Sequence, residues 1–187
     1  MDEKDKKVLL SIARESIKSA IIDTPNEQSR IEITSPELNE KNGAFVTLRT
    51  DRKLRGCIGR IVSDVPLYKL VSEMAVSAAE EDPRFSHIQL SELESLEIDI
   101  SVLSPLQKID DPLDFELGRH GIYITKGSST GCFLPQVATE TGWTKEEFLS
   151  QCCSMKAGLS PDAWKNKNVD VYIFTAEMIS ENNNMDS

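Results

Sequence analysis

Histidine is almost missing from this chain, with two in 187 residues, and cysteine is scarce, with four. Cys57, Cys132, Cys152 and Cys153 contain no CxxC spacing, and the adjacent pair at 152–153 is poorly placed to chelate one ion. That argues against a zinc site and against a disulfide scaffold; the expected state is reduced thiols in the cytoplasm. No apolar run reaches the length of a bilayer span. The opening MDEKDKKVLL has acids at once and no apolar core, which excludes a secretory signal. Aromatic residues make up 6% of the chain, too few for a stacking platform on single-stranded nucleic acid. Positive charge is also short: the formal net charge is −10, which argues against nucleic acid or anionic lipid as a partner of the whole surface.

What is present suits a globular chain with its own core. The hydrophobic fraction is 39% and the charged fraction 28%, and the length allows one domain or two joined halves. Leu9, Ile12, Ala13, Ile17, Ala20 and Ile21 recur at helical spacing and predict a helix over 4–22, stopped by Pro25. Residues 35–41 read as loop or a short turn. Alternation predicts strands over 44–48 and 54–61 around a polar turn, and another over 96–103 with Glu97, Asp99 and Ser101 on a wet face. A helix is expected after Pro66, burying Leu67, Leu70, Val71, Met74 and Ala78. A second helix is expected over about 136–153, a strand over 169–174, and a disordered tail over 180–187.

The pattern echoes itself. Gly43-Ala44-Phe45-Val46-Thr47 returns as Gly121-Ile122-Tyr123-Ile124-Thr125, and Gly56-Cys57 as Gly131-Cys132. Each hairpin is followed by a helical segment and a closing strand. Strand–strand–helix–strand made twice gives half-repeats of roughly 43–105 and 119–178. Hairpins imply antiparallel pairing, so the fold class is α+β: two similar half-repeats with mostly antiparallel strands.

The chemistry gathers in Leu54-Arg55-Gly56-Cys57-Ile58-Gly59-Arg60. Strict alternation puts Arg55, Cys57 and Gly59 on one strand face, with Leu54, Gly56 and Ile58 on the other. Gly56 and Gly59 allow a ligand or another backbone to come close. Arg49, Arg52, Lys53, Arg55 and Arg60 against Asp51 sum to +4, leaving −14 for the remainder of a −10 chain. A positive island on an acidic protein invites a carboxylate or phosphate, with Arg55 as the contact and Cys57 as a nucleophile. The plain alternative is a cysteine packed as a small hydrophobe.

Leu54–Gly59 also resembles the signature of the AMMECR-type domain family, whose prokaryotic form is called AmmeMemoRadiSam system protein A. Asp82-Pro83-Arg84-Phe85, Ser101–Ser104, Arg119–Ile122, Leu134–Glu140 with Gly142-Trp143, and Lys156–Leu159 are similar to further family motifs in the same order. Ser86-His87 departs from the pattern, which usually has a proline there. The resemblance implies an α+β fold of two β–α repeats with a cleft between subdomains. It also implies a pathway shared with a Memo-like protein, related to metal-dependent dioxygenases, and a radical S-adenosylmethionine enzyme. It names no settled activity and no cofactor.

Other candidates surround that motif. Arg84 is expected as a second anion contact oriented by Asp82, or the two form a structural ion pair. His120 is a candidate base for Cys57, or a turn histidine bonded to backbone. Gln136 is a candidate hydrogen-bonding group. Three functions compete: an enzyme component acting on a small anionic substrate, a non-catalytic module binding a peptide or partner, and nucleic-acid association opposed by the net charge.

Overall fold

The computed structural model describes residues 1–23 and 33–181. They form two compact units: Met1–Val102 with the stretch that begins at Glu177, and Leu103–Ala176.

In the first unit, α1 (Glu3–Ile21) starts where the Asp2 carboxylate accepts the N–H of Asp5 at 2.7 Å. Glu3 and Asp5 in its first turn and Lys18 in its last complement the helix dipole. Leu9, Ile12, Ala13 and Ile17 form its buried stripe. The helix ends at Ile21, and Pro25 lies outside the described residues. Of the loop or short turn expected over 35–41, the chain forms a single helical turn, α2 (Pro36–Asn39), begun by Pro36 and held down by buried Leu38.

The hairpin of β1 (Asn42–Thr50) and β2 (Lys53–Val62) turns through Asp51 and Arg52, both in the left-handed region at φ 51° and 64°. After Pro66, α3 (Leu67–Glu80) buries the five expected apolar residues with Ala75 and Ala79. β3 (Leu96–Leu103) pairs with β1 antiparallel. Ala44, Val46, Leu48, Ile98 and Ile100 pack under the helices. The opposite face of the sheet carries Phe45, Thr47, Arg49, Cys57, Asp99 and Ser101.

In the second unit, a three-residue strand β4 (Gln107–Ile109) precedes the hairpin of β5 (Gly121–Lys126) and β6 (Ser129–Phe133). The single helix expected over 136–153 is broken. α4 (Pro135–Thr141) stops at Gly142, which takes φ +67°, a left-handed conformation that ends helices. α5 (Lys145–Gln151) restarts with a reciprocal cap between Thr144 and Glu147. A π-helical turn follows over Cys152–Lys156. β7 (Asp170–Phe174) completes this sheet, and Phe115, Ile122, Ile124, Phe133, Phe148 and Leu149 fill its core.

The chain then leaves the second unit and ends its described part in β8 (Ala176–Ser180), an edge strand of the first sheet. Ser180 is thus a strand residue and not tail; residues 182–187 lie outside the described part. Glu181 bolts this strand in place. Its backbone N–H bonds the Ile98 carbonyl, its carboxylate accepts the Ile98 N–H, and Arg14 of α1 grips it through Nε at 2.7 Å and Nη2 at 2.5 Å.

The sheets run β2-β1-β3-β8 and β4-β7-β5-β6, so β2-β1-β3 and β6-β5-β7 share one order. Phe45 stands between Gly59 and Ser101; Tyr123 stands between Cys132 and Tyr172. Superimposing β1 on β5 by the Gly43 and Gly121 echo therefore matches Gly59 to Cys132 and Cys57 to Thr130. The Gly-Cys echo is two residues out of step. The second hairpin turns two residues earlier on its first arm and three earlier on its second, and has an unbroken register, which the first does not.

Candidate functional site

Register explains the shape of the 54–60 segment. Gly56 stands opposite Leu48, yet Arg49 stands opposite Leu54, so Arg55 is the extra residue of a β-bulge. The bulge interrupts the alternation that would set Arg55 beside Cys57. Each glycine already serves the scaffold. A Cβ on Gly56 would lie 2.0 Å from the Ala78 carbonyl oxygen, so α3 rests directly on the strand there. A Cβ on Gly59 would lie 2.3 Å from the Phe45 ring, which crosses the strand at that point.

Cys57 stands opposite Thr47, and the Thr47 hydroxyl donates to its sulfur at 3.2 Å. The cysteine is half-buried. β2 is an edge strand, so its outward-facing backbone groups need partners. Asp82 and Arg84 supply them. The Asp82 carboxylate accepts the Cys57 N–H at 2.9 Å, and Arg84 Nη2 donates to the Cys57 carbonyl at 3.3 Å. Asp82 also takes Arg84 Nη2 at 2.7 Å, Nε at 2.9 Å and the Arg84 N–H at 3.1 Å. The Arg84 guanidinium holds the buried Asp82 carboxyl well below the usual carboxylate range, and the Cys57 and Arg84 amides add to this against the penalty of burial. The Asp-Pro-Arg segment thus acts as a two-point substitute for a neighbouring strand, and Arg84 lies over the Phe85 ring at 5.3 Å.

Arg55 points to Glu92, with Nε on Oε1 at 2.8 Å and Nη2 on Oε2 at 3.1 Å, and its Nη1 donates to the Ser86 carbonyl at 3.3 Å. This pair lowers the pKa of Glu92 and raises that of Arg55. Arg60 meets Glu73 of α3 at 3.1 Å. Arg49 meets Asp99 through Nε at 3.3 Å, and Ser180 donates to the other Asp99 oxygen. The positive island counted along the chain is therefore largely matched by acids from α3, β3 and the 81–95 loop.

Thr47 stands opposite both Cys57 and Asp99. A polar row thus crosses all four strands on the sheet face opposite α3: Cys57, Thr47 with Arg49, Asp99, Ser180. Thr47, Asp99 and Glu92 were not singled out as site residues by the sequence, and Arg49 entered only as one charge of the positive island. The available signal was the wet face of β3 and the polar alternation of β1, which becomes a site only through the pairing register.

His120 and Gln136 belong to the second unit. His120 Nδ1 accepts the Glu116 N–H at 3.0 Å, and the His120 N–H returns to the Glu116 carbonyl at 2.9 Å, so this ring closes its own turn. Gln136 follows Pro135 in α4; its Oε1 is buried with no hydrogen-bond partner among the described residues. Cys132, Cys152 and Cys153 have thiols pushed up by burial, Cys132 to about 12. Among the described residues no group of three or more His, Cys, Asp or Glu could hold a metal ion. No helix among them is long and apolar enough to cross a membrane.

Comparison with known proteins returns one consistent picture. The family model described as AMMECR1 matches residues 10–179. A protein of Thermococcus gammatolerans is 40% identical over 92% of this chain and 88% of its own length. A protein of Pyrococcus furiosus is 44% identical over 78% of this chain and 74% of its own. The crystal structure of an uncharacterised protein from Pyrococcus horikoshii superimposes with a TM-score of 0.87 at 37% identity, covering 97% of this chain and 94% of that one.

Proposed function

We propose a function from one premise: the chain belongs to the AMMECR1 family. Its first unit holds a small anionic substrate beside Cys57, on the sheet face opposite α3. In this reading the protein is one component of a three-protein pathway with a Memo-like protein and a radical S-adenosylmethionine enzyme. The observation that carries the reading is the setting of Cys57, a residue only partly buried. It sits on a strand whose peptide is pinned from outside by Asp82 and Arg84 while the Thr47 hydroxyl donates to it from within the sheet. A group held from both sides meets a ligand in one orientation, as a nucleophile or as a contact.

The direct test is thiol labelling of the native protein with iodoacetamide, read peptide by peptide. Cys57 is expected to react well before Cys132, Cys152 and Cys153, whose burial keeps them protonated near neutral pH. Equal, slow labelling of all four rejects the reading. Mass spectrometry of a candidate substrate, with all three pathway proteins and with this one omitted, then tests the pathway. A second reading, a non-catalytic module presenting a peptide or metabolite, draws on Arg55 and Arg84 being committed to Glu92 and Asp82. Under it, Cys57→Ser keeps pathway function, whereas under the enzyme reading it abolishes it.

A further inference from the structure

We infer that the anion contact of this face is Arg49. The inference rests on the reading that the Cys57 face is the substrate site, and it narrows the ligand to one bearing a carboxylate or phosphate a few atoms from the atom that meets sulfur. Arg52 sits in the hairpin turn, and the commitments of the other four arginines near the motif differ. Arg55 uses three N–H donors, two of them bidentate on Glu92, and its side chain is 18% exposed. Arg84 is bidentate on Asp82 and spends a further contact on the Cys57 carbonyl. Arg60 pairs with Glu73, which belongs to the helix packed on the opposite face.

Arg49 is placed otherwise. It lies two residues from Thr47, on the same sheet face, and is the diagonal neighbour of Cys57 across the β1–β2 pair. Such neighbours are roughly 7–8 Å apart, within reach of a long side chain. Its contact with Asp99 is one Nε bond at 3.3 Å, which leaves its other donors uncommitted among the described residues, whereas the more exposed Arg84 is bidentate. Asp99 is itself shared with Ser180, so its charge is divided between two donors. A guanidinium carries five N–H donors in a planar fork, which suits one oxyanion while Nε stays on Asp99. Thr47 stands between the two, with Cys57 on one flank and Asp99 on the other.

Two alkylating probes that differ in charge read this arrangement. In both, the thiolate sulfur displaces iodide, a sulfur–carbon bond forms, and the thiol proton goes to solvent. Iodoacetate carries a carboxylate next to the reactive carbon; iodoacetamide does not. The ratio of their rates at Cys57, normalised to a free thiol, reports cationic attraction at the sulfur. Arg49→Gln is expected to lower that ratio about three- to tenfold, with the iodoacetamide rate little changed, because only the charged probe feels the lost cation. Arg49→Lys should restore part of it, and Arg55→Gln should leave it unchanged. Inorganic phosphate should slow iodoacetate at Cys57 in the unaltered protein and not in Arg49→Gln. A ratio that follows Arg55, or neither arginine, overturns the role of Arg49 while leaving the Cys57 site standing. Failure of both probes to modify Cys57 overturns the site and this inference together.

Discussion

A single buried carboxylate does most of the organising around Cys57. Asp82 closes the β2 edge and anchors Arg84. Asp82→Ala removes charge-assisted bonds and leaves the Cys57 N–H without its partner, a loss of about 2–3 kcal/mol by urea unfolding. The acid dependence has a definite sign. Arg84 depresses the Asp82 pKa in the folded state, so its contribution is complete above the ordinary carboxylate value of roughly 4 and fades as pH falls below it. Glu92, depressed by Arg55, adds in the same direction. The unaltered protein should therefore lose stability on acidification below about pH 4, and Asp82→Asn should flatten that slope. An equal slope in the variant would assign the acid loss to other carboxylates. Asp82 and Arg84 were readable as a motif. Their role was not, because the alternatives of ligand contact and ion pair differ only in what stands across from them.

Among the elements, β2 and its hairpin are the most exacting. Gly56→Ala places a methyl 2.0 Å from a helix carbonyl, where no rotamer offers relief. A cost of about 2–3 kcal/mol is expected, with α3 displaced, as measured by chemical denaturation. The turn residues go the other way. Asp51 and Arg52 both hold positive φ, which the Asn-Gly pair adopts with less strain. Replacing Asp51 by Asn and Arg52 by Gly together should stabilise the fold by up to about 1 kcal/mol, read as a higher melting midpoint. Elements with strong periodicity were legible from sequence almost residue for residue: α1, α3 and β3 end within a residue or two of where apolar spacing places them. The misses have local causes. Gly142 ends α4 by a backbone conformation that apolar spacing does not encode, and β4 and β8 are too short and too polar to show alternation. The face shared by Arg55 and Cys57 was misread for a related reason: a bulge is a property of two strands in register, invisible in either one.

On the scale of the whole chain, sequence order and spatial order part company at the C-terminal side. The first sheet takes its fourth strand from residues that follow the entire second unit. Native-state hydrogen exchange in rising denaturant should show this as grouping: amides of 177–180 should open with β1 and β3, and not with β7 a few residues away. Exchange of β8 together with β7 would mean that the two units open as a single block. Arg14→Gln should loosen that grouping selectively, since it releases Glu181 from α1. The same arrangement sets a timetable for biosynthesis. As the polypeptide leaves the ribosome, β1, β2, α3 and β3 emerge early, but the flank of β3 waits bare until the last strand is translated. The intervening unit has the chance to fold during that delay, so nascent chains stalled before residue 177 should be the ones that recruit chaperones.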